Sequence, residues 1–148
     1  MPPTKEQLVW DKWNSAQVSN GLVGERVGLC ETVVAEVKNL NFPHGSKMLD
    51  LGCGAGWTSE RLHQDFDYLG LDFSEKAIAD ARLRLPQTKF ETADFLVWKA
   101  PVSEFDVVLC VDTIAVIREQ DAVIEKIARS LKSRGWLVIT CVNPFCYS

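Results

Sequence analysis

Histidine is scarce in this 148-residue chain, with only His44 and His63 present. A histidine-rich metal centre is therefore excluded, and no metal is expected. The five cysteines, Cys30, Cys53, Cys110, Cys141 and Cys146, are odd in number and form no CxxC pair. That pattern fits reduced thiols in an intracellular compartment, not a disulfide frame or a zinc site. No apolar run is long enough to cross a bilayer, and Met1-Pro2-Pro3-Thr4 does not open a signal peptide, so a cytoplasmic location is expected. A basic surplus is also missing. The formal net charge of −4 argues against a large nucleic-acid footprint, which needs a basic face. Repeats, low-complexity tracts and linkers are absent, and the length suits one domain spanning residues 1–148.

The informative stretch is Met48-Leu49-Asp50-Leu51-Gly52-Cys53-Gly54-Ala55-Gly56-Trp57-Thr58. An apolar strand runs into a loop with glycine at alternate positions. Such glycines let the backbone turn sharply and let a ligand approach the main chain. A dinucleotide loop would carry its third glycine three residues after the second, where this chain has Trp57. The spacing is GxGxG, which argues against NAD. Upstream, Thr4 to Ala16 reads as a helix, and Val27, Cys30, Val33, Val34 and Val37 mark a second from Glu25 to Leu40. Downstream, short apolar strands alternate with helices predicted at Trp57–Asp65, Glu75–Leu85 and Gln120–Lys132, the mark of βαβ units. A fifth strand is predicted over Gly135–Thr140. The chain divides into amino-terminal helices, which would serve as a lid (1–40), and an α/β core (46–142).

Asp50-Leu51-Gly52-Cys53-Gly54-Ala55-Gly56 resembles the first motif of the class I S-adenosylmethionine (SAM)-dependent methyltransferases. Tyr68-Leu69-Gly70-Leu71-Asp72-Phe73-Ser74 is similar to the family's second strand with its terminal acid, and Phe90-Glu91-Thr92-Ala93-Asp94-Phe95 to the third. Phe105 to Val111 resembles the fourth strand, and Leu131 to Ile139 the turn into the fifth. Motifs in register over roughly two-thirds of the chain are far more specific than any one alone. The resemblance implies a Rossmann-like doubly wound sheet, mostly parallel, of order 3-2-1-4-5. It also implies a continuation beyond the fifth strand, of which only Cys141 to Ser148 remains here. The usual last two strands are therefore expected to be lacking, which would leave a fifth-strand edge open to self-association or to a partner.

The cofactor implied is SAM, with Asp50, Gly52, Cys53, Gly54, Gly56, Asp72, Phe73, Asp94, Phe95 and Val111 around it. Asp72, twenty residues past Gly52, suits a ribose acceptor because a carboxylate accepts from two vicinal hydroxyls. The alternative is a solvated cap for the helix after Ser74. Phe73 would lie on adenine or pack helix to sheet. Asp94, as the family implies, would accept from the adenine amino group, with Phe95 beside it; its alternative is a loop Asp bonding its own backbone. Asp50 on an apolar strand demands a partner, expected among backbone N–H groups or the cofactor's amine. Cys53 reads as a small filler between glycines.

The resemblance implies methyl transfer to a small-molecule acceptor. Val111-Asp112-Thr113-Ile114 lacks the Asn/Asp-Pro-Pro-aromatic sequence of amino-directed nucleic-acid methyltransferases. The Glu-His of ubiquinone-biosynthesis-type O-methyltransferases is replaced by Ala115-Val116. Neither histidine is expected at the ends of strands four or five, where a base would stand. Acceptor-side candidates are Trp10 and Trp13, which either line a pocket under the lid or pack the helix onto the domain, and Asp112. The other functional reading is a SAM-binding module or truncated subunit that does not turn over alone and needs a partner to complete the acceptor site.

Overall fold

The computed structural model describes residues 25–141, together with Leu8, Asp11 and Lys12. These three are helical, and the rest of the predicted first helix lies outside the described residues, as do Trp10 and Trp13. The first continuous element is α1 (Glu25–Asn39). Then come β1 (Ser46–Leu51), α2 (Ser59–Leu62), β2 (Phe66–Asp72), α3 (Glu75–Arg84) and β3 (Lys89–Thr92). The last described elements are β4 (Phe105–Cys110), a 3-10 turn at Ile114–Val116, α4 (Gln120–Ser130) and β5 (Leu131–Ile139). The five strands form one sheet in the order β3-β2-β1-β4-β5, with every pairing parallel.

Alternation along the central strands builds two cores from one sheet. Met48, Val107 and Leu109 face the side covered by α1, α2 and α3, where they pack with Val33, Val37, Leu62 and Ile78. Leu49, Leu51, Val108 and Cys110 face the other side, with Phe95, Phe105, Val123 and Ile127. Strands buried on both faces lose their polar alternation, which is why β1 and β4 read as apolar runs. Asp50 keeps its place in the alternation on the Met48 side, so a carboxyl is directed into the first core.

Three boundaries differ from the sequence reading. The helix after the glycine loop is a single turn, because residues 54–58 are spent on turns before Ser59. α4 stops at Ser130, and β5 starts at once with Leu131 opposite Phe105. The Lys132-Ser133-Arg134-Gly135 turn is therefore an irregularity inside the strand, and the register resumes at Trp136 opposite Val107. Arg134 takes a left-handed φ of 69° there. Such irregularities bend a strand and raise its twist without ending its pairing.

The link from β3 to β4 carries no regular helix. It passes over the second core as loop, with one hydrogen-bonded turn in which the Val97 and Trp98 amides both bond to the Asp94 carbonyl. Phe95 and Trp98 stack at 5.7 Å and fill the space against the sheet.

Candidate cofactor site

The carboxyl ends of β1, β2 and β4 meet at the glycine loop, where open α/β sheets bind ligands. Gly52 leaves β1 with φ +77°, and Gly54 and Gly56 are also left-handed. The Gly52 and Cys53 amides both donate to the Leu71 carbonyl at the end of β2, at 2.8 and 3.0 Å. Thr113, after β4, lies so close that a Cβ at Gly52 would fall 2.1 Å from its Oγ1. Gly52 therefore serves internal packing as well as backbone conformation. Thr113 is a site residue that sequence reasoning missed, since nothing local ties a threonine in another loop to this glycine.

Asp72 ends β2 buried, not solvated. Its Oδ2 accepts from the Gly54 amide and its Oδ1 from the Ser74 amide, both at 2.9 Å. The Ser74 hydroxyl caps α3 by accepting from the Ala77 amide at 3.1 Å, and donates to the Asp11 carboxylate. The segment holding Asp11 thus reaches the end of β2, another contact that sequence spacing does not reveal. Burial raises the Asp72 carboxyl above its ordinary value, opposed by the amides of Ser74 and Gly54.

Asp50 is 2% exposed. Its partner is the Tyr68 hydroxyl, which donates to its Oδ2; of the two partners expected from sequence, backbone amides or the cofactor's amine, no backbone amide of the described residues bonds to it. Ser59 in turn donates to the Tyr68 oxygen at 2.8 Å. In register Asp50 stands opposite Gly70, whose missing side chain leaves space for Phe90 and Cys53. Burial pushes the Asp50 carboxyl up to about 7, with the Tyr68 bond opposing and the nearby Asp72 charge adding. Cys53 is buried over Gly70, its thiol held well above its ordinary value by burial, which fits a filler and not a nucleophile.

The remaining candidates divide. Phe73 is half-buried at the β2 end, and Val111 packs on the first core. Asp112 has φ 53° and donates its amide to Thr140 Oγ1 at 2.9 Å. Asp94 is exposed, and its Oδ1 accepts from the Leu96 amide at 2.9 Å, starting its own turn. Phe95 is turned into the second core against Trp98. Trp57 carries the Arg84 guanidinium 3.8 Å above its ring, and Arg84 also donates to the Ala55 carbonyl at 2.9 Å. The residue that argues against NAD is thereby the platform that fastens α3 to the glycine loop. His44 is exposed before β1, and His63 lines a small hollow with Phe66, Asp67 and Lys89 at the amino ends of β2 and β3. Both histidines stand at the end of the sheet opposite Gly52.

A family model described as a methyltransferase domain matches residues 48–135, from the strand before the glycine loop to the irregularity in β5. The chain belongs to the class I SAM-dependent methyltransferases. The chain is 29% identical over 130 residues to the trans-aconitate 2-methyltransferase of Variovorax paradoxus, covering 86% of this chain and 49% of that one. It is 32% identical over 106 residues to the ubiquinone biosynthesis O-methyltransferase of Thiobacillus denitrificans, with coverage of 67% and 45%. Among solved structures, phosphoethanolamine N-methyltransferase 2 of Haemonchus contortus in complex with SAM superposes with a TM-score of 0.68 at 25% identity. That match covers 74% of this chain and 27% of the other. The chain thus spans about half, or less, of the length of these relatives. Its cofactor is SAM.

Two outcomes test this geometry. Gly52→Ala forces a Cβ onto Thr113 in a left-handed conformation and should cost about 2–4 kcal/mol in urea unfolding. Adding Thr113→Ala should recover only the steric part. The second concerns Asp50, which in the fold keeps its proton between pH about 4 and about 7, where the unfolded chain has lost it. Ionising it works against the fold, so its contribution is most favourable below pH about 4 and falls by up to about 4 kcal/mol towards pH 7. The melting temperature of wild type minus that of Asp50→Asn should decrease over that range and then level off. A difference flat with pH would contradict the buried, protonated carboxyl.

Proposed function

We propose that the chain carries the cofactor half of an enzyme that transfers the SAM methyl group to a small-molecule acceptor. The observation that supports it most is the Asp72 carboxylate, held between the glycine loop and the start of α3. Each of its oxygens accepts one backbone amide, from Gly54 and from Ser74, with the Phe73 amide also facing it, and its remaining acceptor capacity is offered to the ribose hydroxyls. Asp94 Oδ2, on an exposed turn, is the acceptor offered to the adenine amino group. Asp50 and the Gly52–Gly56 backbone serve the methionyl end, Phe73 lies against the adenine, and Val111 borders the cofactor.

The bound sulfonium supplies an activated methyl group and a neutral leaving group. The chain's task is then alignment and exclusion of water. Neither histidine is at the carboxyl ends of the strands, so an acceptor already nucleophilic at neutral pH, such as a carboxylate, demands least of the described residues. The acidic balance and the absence of an Asn/Asp-Pro-Pro-aromatic sequence after β4 favour a small molecule over a nucleic acid. The relative named for trans-aconitate acts, by its name, on such a carboxylate. Trp10, Trp13 and Asp112 are the proposed acceptor side. Among the described residues no helix is long and apolar enough to cross a membrane.

One further contact is proposed. β5 has β4 as its only ladder partner among the described residues, and Trp136 is 52% exposed. An exposed apolar edge of this kind is a template for pairing, and a second copy of the chain is the occupant proposed.

Calorimetric titration of SAM should give saturable binding, weakened about 100-fold by Asp72→Ala, since two charge-assisted hydrogen bonds are lost. No binding by the folded chain would remove the cofactor reading. Incubation with small carboxylic acids should yield S-adenosylhomocysteine and a methyl ester. Binding without turnover on any small acceptor would favour the non-catalytic module. In sedimentation velocity, the chain should associate with rising concentration, and Trp136→Lys should shift it to monomer.

A further inference from the structure

The main chain of the turn that carries Asp94 is fastened from α4 by one side chain, while the Trp98 indole donates to Glu91 of β3 at 3.2 Å. Lys126 lies on α4, between the buried Val123 and Ile127. Its Nζ donates to three backbone carbonyls of this turn, those of Phe95 at 2.7 Å, Leu96 at 2.6 Å and Trp98 at 3.0 Å. The same ammonium lies 5.4 Å from the centre of the Phe95 ring. An ammonium has three donors, and all three are spent here on main chain. The Phe95 and Leu96 carbonyls are ones that a continuing helix would satisfy, but the β3–β4 link stops after one turn, and the Trp98 carbonyl also accepts from the Ala100 amide at 3.0 Å. At the other end of the turn, Asp94 Oδ1 holds the Leu96 amide. The turn is thus fixed at both ends, and its start determines where Asp94 Oδ2 stands. No carboxylate pairs with Lys126 among the hydrogen bonds and ion pairs of the described residues, so a surface ion pair does not account for its position.

We propose that Lys126 is a positioning residue for adenine recognition. It holds the Asp94–Trp98 turn in the conformation that presents Asp94 to the 6-amino group, and so sets the preference for adenine over a 6-oxo base. The inference rests on Asp94 being the adenine contact. Arginine would not substitute, because a planar guanidinium cannot converge on three carbonyls that surround one point.

The experiment measures calorimetric affinities for S-adenosylhomocysteine and S-inosylhomocysteine, which differ in that amino group. Wild type should prefer the adenosyl ligand by about tenfold or more, and Asp94→Ala should remove the preference. If Asp94→Ala leaves the preference intact, the Asp94 reading fails and the inference with it. Given that reading, Lys126→Met should weaken the adenosyl ligand about tenfold while changing the inosyl ligand less than about twofold. In the Asp94→Ala background, Lys126→Met should add nothing more. Equal weakening of both ligands, or effects that add across the two sites, would overturn the role of Lys126 while leaving that of Asp94 standing. Lys126→Gln keeps one amide donor and much of the length, and should give an intermediate preference if Lys126→Met does not fold. A wild-type preference in a folded Lys126→Gln would overturn the proposal.

Discussion

The Asp72 carboxylate accepts one amide from the glycine loop and one from the start of α3, and through Ser74 it is linked to Asp11 of the amino-terminal segment. Three pieces of chain, far apart in sequence, converge on one buried group. A buried carboxylate is costly unless its oxygens are paired, and here the pairing is done by main chain that is otherwise without a partner. Loop geometry and the charge that would face a ribose are thereby the same feature. Loosening one loosens the other.

Under this junction lies a second carboxyl with a different role. Asp50 faces the first core and is met by the Tyr68 hydroxyl, whose oxygen in turn accepts from Ser59. Burial holds its proton up to about neutral pH. Two acids at adjacent strand ends thus have separate surroundings: one is met by backbone amides and open to further donors, the other by one tyrosine hydroxyl inside the apolar layer. The nearness of the Asp72 charge makes it harder for Asp50 to ionise.

Long cationic side chains fix the loops at the carboxyl end of the sheet. Arg84 stacks on Trp57 and takes the Ala55 carbonyl, fastening the glycine loop to α3. Lys126 does the same for the Asp94 turn from α4. In both cases a helix packed on the sheet reaches back to backbone carbonyls of a loop whose helical turn is short or absent. Rigid elements supply the order that the loops lack, as a site held to tight tolerances requires.

The α/β class, the strand order, GxGxG in place of a dinucleotide loop and the acidic residues at the ends of β2 and β3 were all legible in the sequence. Each depends on chemistry local to a few residues: alternation, glycine spacing, a polar group closing an apolar run. The extent of α2, the start of β5 inside an apparent turn, the Tyr68 partner of Asp50, Thr113 against Gly52, and Lys126 on the Asp94 turn were not. These depend on which residues a parallel sheet brings together across 18 to 61 positions, as with Asp50 and Tyr68 or Gly52 and Thr113. By itself the sequence determined the kind of ligand loop and the acids available to it, because backbone freedom and side-chain charge are properties of single residues. Only the tertiary structure decided which acid keeps its proton and which stays open to donors, because burial and hydrogen-bond partners belong to the packed sheet.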